Sequence, residues 1–256
     1  VKNLLFFLFS MNTLLAFETS DFVSETFIHG EGEDEVTLGY RSLRIGPDDE
    51  DVPLLLFLHG AGERGSDNEA QLKHGVPDLV AWLRKTEQNC HIVVPQCPSN
   101  VWWVNYEGER RGAELRLADQ QPILNTLQAL VSQTVAEHSI DSRRHYLTGL
   151  SMGGFGTLGL LADDPEPWAG AIAICGGGDT TLVDHIAQVP LQLVHGDRDD
   201  IVSVTLSRAL FAALRKSDAP NVHYTELLNT GHDSWTPTYR DPRFWEWLFA
   251  QQRKRR

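Results

Sequence analysis

The segment YLTGLSMGGFG, residues 146–156, constrains the fold of this chain more than any other stretch. An apolar run ends at Leu150, Ser151 stands between Gly149 and Gly153, and a Gly-rich run follows. The pentapeptide GLSMG fits the pattern G-x-S-x-G set between a strand and a helix. A turn that tight leaves no space for side chains two residues to either side of the serine, which accounts for both glycines. The alternative reading is a Gly-rich turn with a small capping serine. A strand feeding a helix through such a turn favours the first reading and makes Ser151 a candidate nucleophile.

The rest of the chain repeats the strand–helix alternation. FVSETFI and EVTLGYRSLRI predict an early hairpin. PLLLFLHG, HIVVPQ, RRHYLTGL, WAGAIAICGG, LQLVHGD and NVHYTELL read as further strands, several of them continuously apolar as in buried parallel sheets. Residues 123–138 carry Ile123, Leu124, Leu127, Leu130, Val131 and Val135 at helical spacing. Residues 203–217 also read as a helix, as does DPRFWEWLFAQQ, with Asp241 as N-cap and Pro242 at the first helical position. The expectation is an α/β fold: about eight mostly parallel strands with helices on both faces. Only residues 179–189 separate two late strands, too few for a large cap domain there.

Composition narrows the function classes. Of the 256 residues, 41% are hydrophobic and 22% charged, enough apolar surface for a sizeable core. A net charge of −13 lacks the basic footprint of a nucleic-acid binder, and RKRR at 253–256 is read as a solvated terminus. Cys90 and Cys97 flank the HIVVPQ strand. They should lie roughly 20 Å apart at about 3.3 Å per residue, too far for a disulfide. All three cysteines, including Cys175, are read as thiols, without zinc-type spacing.

Residues 1–17 carry Lys2 and then an apolar stretch interrupted by Ser10, Asn12 and Thr13. That is too short for a membrane span of about 20 residues. It fits a signal peptide, residues 1–16, cleaved after Ala16 and leaving 17–256 as a single domain exported to the periplasm or beyond. Met11 offers the other reading, a start at that position and a cytoplasmic protein.

A serine hydroxyl is a weak nucleophile and needs a base and an orienting carboxylate. In this architecture they follow in the order Ser, acid, His. LVHGDRDDIV offers Asp197, Asp199 and Asp200 after a strand. Asp199 is the choice for the acid. Asp197 follows the strand directly and suits a turn-tying role, and Asp200 is the fallback. His232, in NTGHDSW, sits in a loop after the last strand and is the candidate base. His185, His195 and His223 have blander settings, in a short segment, at a strand end and on an alternating strand. For the oxyanion the backbone amides of Ala61, in FLHGAGERG, and Met152 are chosen by position. Glu63 and Arg64 either pair locally or are solvated. Trp102 and Trp103 follow a parallel strand and read as a substrate-stacking wall or as core cover. Trp235 is expected to pack against and hold the His232 loop.

LFLHGAGERGSDN, VVPQCP with WW, YLTGLSMGGFGT, AICGGGD, HGDRDD and GHDSW together resemble the α/β-hydrolase superfamily. More narrowly, the chain is similar to the predicted-peptidase, prolyl-oligopeptidase-like group, related to feruloyl esterases, acetylxylan esterases and polyhydroxybutyrate depolymerases. The resemblance runs from about residue 22 to 250. It implies a Ser151–Asp199–His232 triad and an oxyanion hole near Ala61 and Met152, and acyl transfer through such a serine is expected to need no metal or organic cofactor. The expected activity is hydrolysis of small or polymer-attached carboxylic esters. Alternatives are a small serine peptidase, an acyltransferase or a silent glycan-binding module.

Overall fold

The computed structural model describes residues 17–32, 35–107, 114–217, 219 and 221–253. The proposed signal peptide lies outside them. In chain order the elements begin with β1 (Val23–His29), β2 (Val36–Ile45), β3 (Val52–Leu58), α1 (Val76–Thr86) and β4 (Cys90–Gln96). A two-residue pair follows, β5 (Tyr106–Glu107) and β6 (Arg116–Leu117), then α2 (Pro122–Glu137), β7 (Ile140–Leu150), α3 (Met152–Asp163) and β8 (Gly170–Ile174). The chain continues through α4 (Val183–Ile186), β9 (Leu191–Gly196), α5 (Val204–Lys216), β10 (Val222–Leu227), α6 (Trp235–Arg240) and α7 (Pro242–Phe249).

Eight strands form one sheet in the order β1-β2-β4-β3-β7-β8-β9-β10. β1 and β2 pair antiparallel as the expected hairpin, β2 pairs antiparallel with β4, and every later pair is parallel. The central strand β3 is buried along its whole length, hence its continuous apolar sequence. Its side chains alternate between two cores. Leu54, Leu56 and Leu58 enter the core shared with α2, α3 and α5. Leu55 and Phe57 enter the core shared with α1 and α7.

α1 was not anticipated, although Val76, Leu79, Val80 and Leu83 follow the helical spacing and are all buried. Gly75 caps it at φ +75°, and a Cβ there would strike the Tyr239 ring. Arg84 and Lys85 in its last turn favour the negative end of the helix dipole. Asp241 caps α7 as expected, its side chain accepting from the Arg243 amide, with Pro242 first in the helix. The three cysteines are free and buried. Between β8 and β9 only the one-turn α4 intervenes.

The parallel strands bring six segments to their carboxyl ends: those after β3, β4, β7, β8, β9 and β10. Ala61, Trp102, Trp103, Ser151, Met152, Asp199 and His232 all lie in these segments.

Candidate active site

Ser151 occupies the turn between β7 and α3 at φ +51°, ψ −116°, a conformation L side chains rarely adopt. Such a conformation costs about 1–3 kcal/mol and persists where the surroundings enforce it. Here its amide donates to Ile174 O at 2.9 Å, and its carbonyl accepts from Phe155 N at 3.1 Å. The neighbouring glycines are required by close backbone contact. A Cβ on Gly153 would strike the Leu58 carbonyl, and one on Gly149 the Gly153 carbonyl. The turn is therefore pressed onto β3, which holds the serine side chain out at the sheet edge.

Ser151 Oγ lies 2.9 Å from His232 Nε2, and His232 Nδ1 lies 2.8 Å from Asp199 Oδ2. A carboxylate only accepts, so Nδ1–H donates to Asp199, and in the neutral ring Nε2 then accepts from the serine hydroxyl. The His232 side chain is 20% exposed and the Asp199 side chain fully buried. The other oxygen of Asp199, Oδ1, accepts from the Ile201 and Val202 amides, both at 2.9 Å. Burial pushes the Asp199 carboxyl upward. Hydrogen bonds from His195, His232 and the Val202 and Ile201 amides outweigh it and hold the acid well below its ordinary range.

The loops carrying Asp199 and His232 are stitched together. Asp197 Oδ1 accepts from Thr230 N at 3.1 Å, and Arg198 N donates to Thr230 O at 2.9 Å. Gly196 makes this approach feasible, since a Cβ there would strike the Gly231 and Thr230 carbonyls. Asp197 thus ties a turn, and Asp200 is exposed. Trp235 stands edge-on to the His232 ring at 5.3 Å, as a packing support would.

Ala61 and Met152 are the first residues of a short helical turn, Ala61–Glu63, and of the helix α3. Amides at such positions have no carbonyl one turn earlier to bond and point outward. Arg64 braces the Ala61 loop: its Nε donates to Ala61 O at 3.0 Å and its Nη1 to Val101 O at 3.2 Å. Glu63 is buried and faces His74 at 3.6 Å, so the envisaged Glu63–Arg64 pair gives way to these two separate contacts. His59, passed over in the sequence, anchors the same loop. Its Nδ1–H donates to Gly60 O at 2.6 Å, and its Nε2 accepts from Cys97 N at 2.9 Å.

The two tryptophans separate. Trp102 is half-buried with the Arg64 guanidinium 5.1 Å from its ring centroid. Trp103 is 0% exposed and donates from Nε1 to His59 O at 3.0 Å. The expectation that Trp103 stacks on substrate is corrected: its ring packs over α3, where a Cβ on Gly156 would meet it. It serves the core and holds the strand end carrying the Ala61 loop.

Two further groups border the Ser151–His232–Asp199 line. His195 is fully buried and lies 3.2 Å from Asp199 Oδ2. No pattern in the sequence marks this, because the contact depends on the turn back from β9. Cys175 has φ +42°, and burial pushes its thiol up to about 12. Donor atoms of Cys175, Asp199 and His232 lie within 4.8 Å of one another. Both His232 nitrogens are already committed and the thiol stays protonated, which fits a metal centre poorly.

Residues 44–241 match the family described as Phospholipase/Carboxylesterase, which spans most of the chain. The crystal structure of a thermostable esterase superimposes with a TM-score of 0.81 at 34% identity, covering 92% of this chain and 64% of that one. Poly(3-hydroxyalkanoate) depolymerase C of Paucimonas lemoignei is 44% identical over 134 residues, 49% of this chain and 28% of the depolymerase. The chain therefore spans less than two thirds of either relative. A ferulic acid esterase shares the fold at a TM-score of 0.64 and 14% identity, over 90% of this chain and 98% of that one. With an eight-stranded sheet of the α/β-hydrolase type and a match over most of its length, the chain belongs to the phospholipase/carboxylesterase family.

Proposed function

We propose that the protein is a serine hydrolase of carboxylic esters. The observation that carries this reading is the unbroken hydrogen-bonded line from Ser151 Oγ through the His232 ring to Asp199 Oδ2. Ser151 Oγ attacks the acyl carbon while His232 Nε2 takes its proton. Asp199 holds the ring in the required tautomer and stabilises its cation. The amides of Ala61 and Met152 receive the oxyanion as it forms. Collapse of the tetrahedral intermediate breaks the bond to the alcohol, which leaves with the proton from His232. Water, deprotonated by the same ring, then attacks the acyl-serine; the ring returns that proton to Ser151 Oγ as the acyl bond breaks and the acid is freed. Every proton moves between groups of this chain and substrate or water, so the cycle balances without a cofactor. Trp102 forms part of the wall beside the oxyanion loop.

The test is labelling by a fluorophosphonate probe, beside Ser151→Ala and His232→Ala. Wild type is expected to label and both variants to fail. A folded wild type that does not label would refute the reading. Parallel rates on a p-nitrophenyl ester and a peptide anilide separate esterase from peptidase, because an amide demands more help for its leaving group. The ester is expected to turn over far faster.

A further inference from the structure

His195 takes no part in the cycle above, yet it reaches the same carboxylate oxygen as His232. Its Nε2 faces two acceptors, Val202 O at 3.0 Å and Asp199 Oδ2 at 3.2 Å. A ring nitrogen that faces only acceptors must carry the hydrogen. Its Nδ1 lies 2.7 Å from Ser207 Oγ on α5, and that hydroxyl is 3.1 Å from Gly176 O. The ring is thus clamped at both nitrogens between β9, α5 and the segment after β8, with no exposed surface.

We propose that His195 is a positioning residue for ester hydrolysis: its Nε2–H holds Asp199 Oδ2 in place for His232 and draws charge from that oxygen. The inference rests on the serine-hydrolase reading. Both amides bond Oδ1 and both rings face Oδ2, His232 Nδ1 at 2.8 Å and His195 Nε2 at 3.2 Å, the latter sharing its one hydrogen with Val202 O. The carboxylate cannot rotate without breaking one of these bonds. The charged and titratable groups around His195 are few. Asp199 and His232 lie on the two loops, and Cys175 ends the neighbouring β8 segment. On β10, Glu226 stands in register with His195 and is itself bonded by Arg208 of α5 and by Tyr224. Glu226 is thereby occupied, and Asp199 is the carboxylate that His195 serves.

The sign of the electronic effect follows. A donor on Oδ2 weakens that oxygen as a partner for the His232 cation. Removing the donor strengthens the cation, so the acid limb of kcat/KM moves to higher pH. The experiment compares wild type with His195→Leu, which removes the donor, and His195→Gln, whose amide nitrogen reaches the Nε2 position. His195→Leu is expected to lower kcat on the order of tenfold, the scale of one bond to a charged group, with KM little changed. Its acid limb should move up by about half a pH unit. His195→Gln should restore most of kcat and return the limb to its wild-type position. The position of the limb is independent of how much protein folds, so partial misfolding does not blur the result. If His195→Leu does not fold, Ser207→Ala, which frees Nδ1, should give a smaller shift of the same sign. An acid limb that stays in place in His195→Leu, or in Ser207→Ala if that variant must replace it, would overturn the proposal. So would identical behaviour of the Leu and Gln variants. Failure of wild type to label with fluorophosphonate would instead strike the underlying reading.

Discussion

Two groups of histidines on the sheet differ sharply in their surroundings. At the carboxyl ends of the strands, His59, His195 and His232 each have both ring nitrogens hydrogen-bonded. In one row near the start of β3, His91 and His145 flank Leu54 on the adjacent strands. Both rings are buried, and neither has a partner on either nitrogen among the described residues. His91 instead lies against His138, ring centroids 4.5 Å apart. The same residue type serves as an oriented hydrogen-bonding device at one end and as neutral filling at the other. What decides the difference is whether loops fold back over the ring. The carboxyl ends carry the segments that follow the parallel strands, while His91 and His145 lie within β4 and β7 beside Leu54.

This comparison is sharpened most at the carboxyl end. Asp199→Asn keeps the shape but gives His232 an amide in place of an acceptor, favouring the wrong tautomer. Esterase kcat is expected to fall roughly 10³–10⁴-fold, read by steady-state turnover with the fold checked by circular dichroism. Retention of more than a tenth of the rate would remove the distinction between the two ends.

The next effect is on stability and belongs to the other end. Burial holds both His91 and His145 at about 4, below their ordinary 6.5, aided by nearby His138 and Arg44 for the first and by Arg253 for the second. Between those values the unfolded chain binds more protons than the folded one, so stability falls as pH drops through that window. From pH 7 to pH 5 the loss is about 2 kcal/mol per ring. A double His91→Leu, His145→Leu variant should lose correspondingly less, while its esterase activity at pH 7 stays near wild type. Urea midpoints at the two pH values read this directly. His59, also held at about 4 by burial, leaves a residual slope. An unchanged pH slope in the double variant would show that these rings are not the acid-sensitive groups.

The smallest effect concerns the rim. Trp102→Ala should raise KM for an aryl ester about threefold with kcat held, equivalent to roughly 0.6 kcal/mol of lost contact. A KM unchanged across aryl and short acyl esters would assign Trp102 to bracing Arg64 and the Ala61 loop alone.

Much of this was legible in local patterns. Continuous apolar strands, the elbow with its glycines and the Asp-Pro start of α7 each obey rules that act over a few residues. The helix α1 obeyed such a rule too, and its Val76, Leu79, Val80 and Leu83 spacing went unread. Trp103 and Trp102 show the limit of local reading. Adjacent aromatic residues have the same chemistry in sequence, and only the packing of the segment after β4 over α3 sends one ring inward and leaves the other at the rim.

The sequence by itself determined the layered α/β architecture, because backbone sterics and apolar periodicity act locally. It also pointed to Ser151, Asp199 and His232 through their places after strands. Only the tertiary structure decided that Asp197 stitches two loops while Asp199 meets His232, since that depends on where Gly196 lets the chains touch. The second histidine on Asp199 was decided there as well. Residues four apart in a turn meet, or fail to meet, according to the fold of the whole loop, and no periodicity in the chain encodes that distance.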